Sequence, residues 1–137
     1  MPEKKTVKKA RQKAREGKAP TTQAGEFVRE EMEHIRKGKH GARSAKQAIA
    51  IGLSKARRAG VKLRPPNGRV PEATRKKAER DYQKGQAGQR TKPSPKKSRA
   101  RLAALKREGR SAASRSALSR QARQAARNRG AHGKKAA

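Results

Sequence analysis

The sequence predicts a small all-α protein: a helical hairpin carrying basic arms that are largely disordered, or helical only on contact with a partner. Three observations carry that prediction. Apolar residues are both dense and helically spaced in one stretch only, Ser44 to Val61 (SAKQAIAIGLSKARRAGV). Helix start and stop signals bracket that stretch and the segment before it. The remainder is too poor in large apolar groups to build a core. Leu, Ile, Val and Phe number 13 of 137 residues, with one Phe, one Tyr and no Trp. Such a chain buries too little apolar surface to offset backbone ordering of ~1–2 kcal/mol per residue.

In the central stretch, Ser44 and Gln47 have the Ser-x-x-Gln form of a capping box, in which each side chain satisfies a free backbone N–H at a helix start. At 100° per residue, Ala45, Ala48, Ile49, Gly52, Leu53, Ala56 and Ala59 fall on one face. The small residues among them allow a partner backbone to come close. Lys46, Lys55, Arg57 and Arg58 lie to the sides and back, and Ile51 points off the stripe. Gly60 stands where a left-handed C-cap belongs, with Val61 able to fold back onto the last turn. Gly25 to Leu63 contains Arg43-Ser44-Ala45-Lys46-Gln47-Ala48-Ile49-Ala50-Ile51, then Leu53-Ser54, Arg57-Arg58 and Gly60. This segment resembles a family of small basic bacterial proteins classed as a domain of unknown function. The likeness spans under a third of the chain and implies no activity, ligand or catalytic residue.

Upstream, residues 1–20 read as a basic arm. Glu3 to Glu16 can form a helix closed by Gly17, but only Val7, Ala10 and Ala14 share a face, so a solvated arm that becomes helical on a polyanion is expected. Pro20, Thr21 and Thr22 mark a turn and an N-cap. A second helix follows from about Gln23 to Lys37, with Phe27, Val28, Met32 and Ile35 on one arc and Ala24 inside it. Glu26, Glu30 and Glu33 gather on the other side, and Glu33–Lys37 is an i, i+4 pair. That acidic face is a natural place to fold a basic arm back or to dock a second copy. Gly38 to Arg43 is a loop of the length that joins antiparallel helices. Residues 21–64 therefore form the hairpin module, with Phe27, Met32, Ile35, Ile49, Leu53 and Ala56 as its core. Six such groups at ~1.5–3 kcal/mol each make a thin core. It calls for a third helix, a dimer partner or nucleic acid.

Residues 65–71 form a Pro/Gly linker, containing Pro65, Pro66, Asn67, Gly68 and Pro71. A charged helix over 72–84 is supported by the spacings Glu72–Lys76, Arg75–Glu79 and Lys77–Asp81. Its apolar face is poor, and a solvated helix is expected. Residues 85–137 form a C-terminal Ala/Lys/Arg arm holding 16 Lys/Arg and one acid, Glu108. Two helical segments are expected there. One runs over 99–108, with Ser98 as cap and Gly109 as stop. The other runs over 113–129 and is closed by Gly130, with Arg120, Arg123 and Arg127 opposite Leu118, Ala122 and Ala125.

The charge points to a partner. With 41 Lys plus Arg against 10 Asp plus Glu, the net charge is +31, a field that attracts polyanions and nucleic acid above all. Cations spread over flexible arms make many phosphate contacts and no fixed base contacts, a make-up similar to linker-histone tails and bacterial histone-like proteins. The candidate binding residues are Lys55, Arg57 and Arg58 on the hairpin, and Lys96, Lys97, Arg99, Arg101, Arg120, Arg123 and Arg127 in the arm. Ser94-Pro95-Lys96-Lys97 resembles the histone-tail motif that lies in narrow minor grooves, where a compact turn brings two cations to a strongly negative groove. Base stacking is not a main mode, since Phe27 and Tyr82 are the only aromatic residues.

The expectation is non-enzymatic, sequence-tolerant binding or compaction of DNA by a cytoplasmic, nucleoid-associated protein. RNA, including ribosomal RNA, is the alternative target. A reading of another class makes the hairpin a protein-docking module or homodimer, meeting its partner at Glu26, Glu30 and Glu33. Zero Cys excludes disulfide scaffolds and Cys-based zinc sites. No apolar run approaches the ~18 residues of a membrane span, and the first residues lack a secretory signal's apolar middle. Glu31-Met32-Glu33-His34 has the Glu-x-x-His form of carboxylate-bridged di-metal sites, but no second copy exists. His34 is therefore expected on a helix surface, and His40 and His132 in Gly-rich loops without partners. No catalytic residue, cofactor or metal site is expected.

Overall fold

The structure is a computed structural model that describes residues 3–66, 70–88 and 94–136, with side chains up to residue 129. Asn67 and Gly68 of the expected linker, and the side chain of His132, lie outside the described residues. The described residues form an all-α fold without strands. In chain order they comprise α1 (Lys4–Arg15), α2 (Pro20–Arg36), α3 (Ala45–Arg58), α4 (Glu72–Gln86), α5 (Pro95–Lys106), a 3₁₀ turn at Ser111–Ala113, and α6 (Arg115–Ala136).

The α2–α3 hairpin forms as its caps require. Ser44 Oγ accepts the Gln47 backbone N–H at 3.2 Å, and Gln47 Oε1 reaches back to the Arg43 N–H at 2.6 Å. The box is thus reciprocal, with its returning bond one residue earlier than usual. At the far end Gly60 has φ of +99°, while the Gly60 and Val61 N–H groups reach Arg57 O and Ala56 O. That is a Schellman closure, and it turns Val61 back into the core. The start of α2 differs from expectation: Pro20 occupies the first turn after Ala19, and neither threonine caps it. The ring presets the helical φ, so the helix begins earlier than the threonines suggest.

The core is split in two. Phe27 packs with Ala10, Ala24, Ala56 and Val61, edged by Val7, Leu53 and Leu63. Met32 and Ile35 pack with Ala42, Ala48, Ala112 and Ala113, edged by Val28, Ile49 and Leu118. Phe27, Met32, Ile35 and Ala56 are buried as the periodicity requires, whereas Ile49 and Leu53 are only partly covered. Between the clusters Gly52 meets Val28 so closely that an added Cβ would lie 2.7 Å from the Val28 Cα. The small-residue stripe does bring the two backbones together.

A thin hairpin needs covering, and this chain covers itself from both sides. The expectation of a solvated N-terminal arm is corrected, because α1 lies on α2 with Thr6 and Ala10 buried. Its alanine face alone is weak. The acidic side of α2 supplies the rest, since Lys13 Nζ lies 2.5 Å from Glu26. Glu30 Oε1 accepts the Glu3 N–H at 2.6 Å and the Thr6 hydroxyl at 3.1 Å. Lys13 holds the Glu26 carboxyl below the usual carboxylate range, against the opposing effect of burial. At the other end the C-terminal segment is no detachable arm: Ala112, Ala113 and Leu118 close the second cluster. The Gly41 and Ala42 N–H groups donate to Leu105 O and Gly109 O at 2.9 and 3.1 Å.

Helix α4 is not the solvated helix that its charge pattern suggests. It docks on α3 through Ala78 and through Asp81, which is 3% exposed. Asp81 accepts from Ser54 Oγ (2.7 Å), Arg58 Nε (2.8 Å) and Lys77 Nζ (3.0 Å). Of its expected in-helix pairs, Lys77–Asp81 and Glu72–Lys76 form. Burial raises the Asp81 pKa, but the three donors outweigh it and the carboxyl lies below its ordinary value. A folded-state pKa below the unfolded one gives stability that is complete above about pH 4 and lost as pH falls through the folded value. Asp81→Ala is expected to cost ~1.5–3 kcal/mol at neutral pH and to remove that acid-dependent step from urea unfolding curves. An unchanged midpoint and pH profile would refute this role.

Candidate nucleic-acid interface

The sequence-predicted cations divide into two groups. Lys55, Arg57 and Arg58 are used inside the fold. Lys55 Nζ pairs with Glu31 Oε1. Arg57 is buried, which lowers its pKa, and it donates Nε–H to Leu63 O at 3.1 Å, closing the chain beyond α3. Arg58 holds Asp81. The three therefore meet Glu31 of α2, the backbone at residues 63–64 and Asp81 of α4; Arg57 is buried, Lys55 is half-buried, and Arg58 stays exposed beside its carboxylate. Periodicity located their sides of α3 without showing what lay against them.

The second group stays in water. Lys96, Lys97, Arg99 and Arg101 on α5, and Arg120, Arg123 and Arg127 on α6, are exposed and have no ion pair among the described residues. Arg120 Nε–H merely reaches back to Ser116 O at 3.4 Å. Helix α5 buries none of its residues; the Gly41 N–H bonds its Leu105 O, and the Ala42 N–H bonds Gly109 O just beyond its end. Helix α6 turns Leu118 inward, and the helical repeat then sets Arg120, Arg123 and Arg127 on the opposite side. The starts expected for these helices are corrected. Ser94 precedes α5 and Pro95 opens it, so Ser98 is inside the helix. The Ser94–Lys97 motif therefore begins a helix and is not the compact turn that groove insertion requires, because proline at the first helical position precedes good helix formers. Helix α6 runs on through Gly130 to Ala136.

A feature not evident from the sequence lies where α6 begins. Arg36 from α2, Arg110 and Arg115 line a cleft of about 490 Å³ with Ala113 and Ser114. Arg36 Nε–H donates to Ala113 O at 3.2 Å, and Ser114 Oγ accepts the Ala117 N–H at 3.1 Å as a cap. Guanidinium groups beside a helix N-terminus suit an anionic oxygen. Arg36 is 77 residues away in sequence from Ala113, so no local pattern could have found this cleft.

No protein-family model, curated protein or solved structure matches the chain.

The histidine expectations also need correction. The His34 side chain is 14% exposed and that of His40 is 8% exposed, and both face Glu31, whose side chain is 1% exposed. His34 Nε2 lies 3.3 Å from Glu3 Oε1 and His34 Nδ1 lies 4.0 Å from Glu31 Oε1. His40 Nε2 lies 3.2 Å from Glu31 Oε2, and its Nδ1 lies 2.9 Å from Gly41 O. The Glu3 carboxyl is held below its ordinary value, chiefly by the His34 hydrogen bond. The loop that carries His40 is tied to the 105–109 segment by the backbone bonds to Leu105 and Gly109. Sequence spacing places His34 one turn after Glu31 but gives no reason for His40 to join them.

Proposed function

We propose that this protein binds nucleic acid, DNA foremost, with little sequence preference, through the exposed cations of α5 and α6 and the arginine cleft between them and α2. The role is binding or compaction, not catalysis, and it fits a nucleoid location. One observation carries the reading: charge is neutralised unevenly over the molecule. Nine of the ten acids lie before residue 85, and three of them, Glu26, Glu31 and Asp81, pair with Lys13, Lys55, Arg58 and Lys77. Residues 85–137 keep 16 cations against Glu108 alone. Cations held on helices without ion-pair partners contact phosphates at little cost in lost pairing, and their loss of counterions drives association. Helix α5 carries no glutamine or asparagine, and Gln124 and Asn128 of α6 bond each other at 3.1 Å, so base-edge reading contributes little.

The test must spare the core, because Ala112, Ala113 and Leu118 belong to it and removing the whole segment would undo the fold. The variant Lys96→Gln, Lys97→Gln, Arg101→Gln, Arg120→Gln, Arg123→Gln, Arg127→Gln alters only exposed side chains. If half of those six cations contact phosphate, log K against log salt should become shallower by about 3 on one duplex. Low-salt affinity should fall in parallel, with helicity unchanged. Slopes that agree within about 1 mean that α5 and α6 do not hold the nucleic acid. Competition at fixed salt between duplex DNA and structured RNA decides which target is preferred.

A further inference from the structure

We propose that Glu31, His34 and His40 form a site for a divalent transition-metal ion of the Zn²⁺ type, which fastens the 38–44 loop to α2. This goes beyond nucleic-acid binding and does not depend on it. One ligand atom from each of the three residues lies within 4.8 Å of the other two. Tetrahedral ligands at bond lengths of about 2.0–2.1 Å sit roughly 3.3 Å apart. His40 Nε2 and Glu31 Oε2, 3.2 Å apart, already have that spacing. The third, His34 Nδ1, lies 4.0 Å from Glu31 Oε1.

The hydrogen bonds around the cluster point the same way. Gly41 O can only accept, so His40 Nδ1 carries a proton and leaves Nε2 facing Glu31. The Glu3 carboxylate beside His34 Nε2 likewise favours a proton there and leaves Nδ1 facing Glu31. Each imidazole thus has its outer nitrogen held by an oxygen acceptor and its inner nitrogen turned to a shared carboxylate. That is how the outer partners of metal-bound histidines fix tautomer and ring direction. The rings meet at 82° with centroids 6.1 Å apart, so they approach from different directions.

The second observation is an unpaired charge-bearing atom. Glu31 Oε2 is buried and makes no hydrogen bond, although His40 Nε2 is 3.2 Å away. At this distance, with no hydrogen bond between them, the nitrogen and the oxygen have the spacing of two ligands of one ion. Lys55 compensates the other oxygen, Oε1, and leaves Oε2 without a cation of its own. Buried carboxylate oxygens are costly unless paired or metal-bound. Two imidazoles and a carboxylate suit Zn²⁺ and its neighbours and disfavour Mg²⁺ and Ca²⁺. The ion would tie α2 to the loop whose backbone also holds α5, and a chain with so thin a core gains from such a staple.

The experiment uses full-length protein, freed of nucleic acid and of metal by nuclease and chelator. Zn²⁺ is titrated in competition with a chromogenic chelator, and Co²⁺ is used as a spectroscopic probe. One Zn²⁺ per chain is expected, with Mg²⁺ unable to displace it. His40→Gln and His34→Gln should each weaken binding at least about tenfold, the lower end of what even outer partners contribute. His132→Gln should leave it unchanged. Co²⁺ should show the intense visible bands of a low-coordinate nitrogen and oxygen site. Absence of stoichiometric Zn²⁺ binding, or an equal loss in His132→Gln, overturns the proposal. If a histidine variant fails to fold, the Co²⁺ spectrum of the unsubstituted protein decides: a spectrum like that of the hydrated ion overturns the site.

Discussion

Phe27→Ala should unfold most of the molecule. Phe27 is 0% exposed and is the only large ring in either core cluster, touching residues from α1, α2, α3 and the chain beyond α3. Its neighbours Ala10, Ala24 and Ala56 are too small to close the cavity left behind. Truncating a buried Phe costs ~3–5 kcal/mol, against a total of ~5–15 kcal/mol for a typical domain. This core is thinner than most, so the variant should lose cooperative urea unfolding, and its helical signal should fall at 25 °C. The loss should reach α1 first, because α1 has no other large contact on α2. A variant that unfolds within about 1 kcal/mol of the parent would show that the ion pairs at Glu26 and Glu30, and not Phe27, hold α1 and α3 together.

Gly52→Leu should be nearly as damaging, and against the direction that helix propensity predicts. In an exposed helix, replacing Gly by Leu stabilises by roughly 0.5–1 kcal/mol. Here even a Cβ at position 52 meets the Val28 Cα at 2.7 Å, its Cγ2 at 2.9 Å and its backbone N at 3.0 Å. Two of those three atoms are main chain and cannot rotate away. Helices α2 and α3 must separate, which opens both clusters, and overpacking of this kind costs ~1–3 kcal/mol or more. Gly25→Ala provides the contrast. Gly25 is also helical, but nothing lies within 4 Å of its added Cβ, so ~1 kcal/mol of stabilisation is expected. Thermal unfolding of the two variants should shift in opposite directions. Shifts of the same sign would mean that the α2–α3 approach is looser than the structure has it.

Local signals set the structure where one turn of chain decides the outcome. The Ser44–Gln47 cap, the Gly60 closure, the α2–α3 hairpin and the burial of Phe27, Met32, Ile35 and Ala56 all follow from spacing along a single helix, because 3.6-residue periodicity and capping chemistry act within a few residues. The all-α class follows from the same patterns. The start of α2 and of α5 was misplaced for an equally local reason, since Pro20 and Pro95 open their helices ahead of the Thr and Ser candidates.

What the chain does with its polar residues was settled by partners distant in sequence. Glu30 meets Glu3 and Thr6, Asp81 meets Ser54 and Arg58, Arg36 meets Ala113, and Glu31 meets His40 and Lys55. Charge counts and helical wheels mark Lys55, Arg57 and Arg58 as a cationic face. Only packing shows that each has a partner within the fold, since long side chains choose among partners by reach and burial, not by sequence distance. The same packing turned α1 and α4 from solvated helices into docked ones: buried carboxylates of α2 take the Lys13 cation and the Glu3 N–H, and the buried Asp81 of α4 accepts from Ser54 and Arg58 of α3. The sequence alone therefore determined that the chain is helical, basic and thinly cored. The tertiary structure decided which cations remain free in water and which acids and histidines meet, because electrostatic pairing depends on distances that only the folded backbone sets.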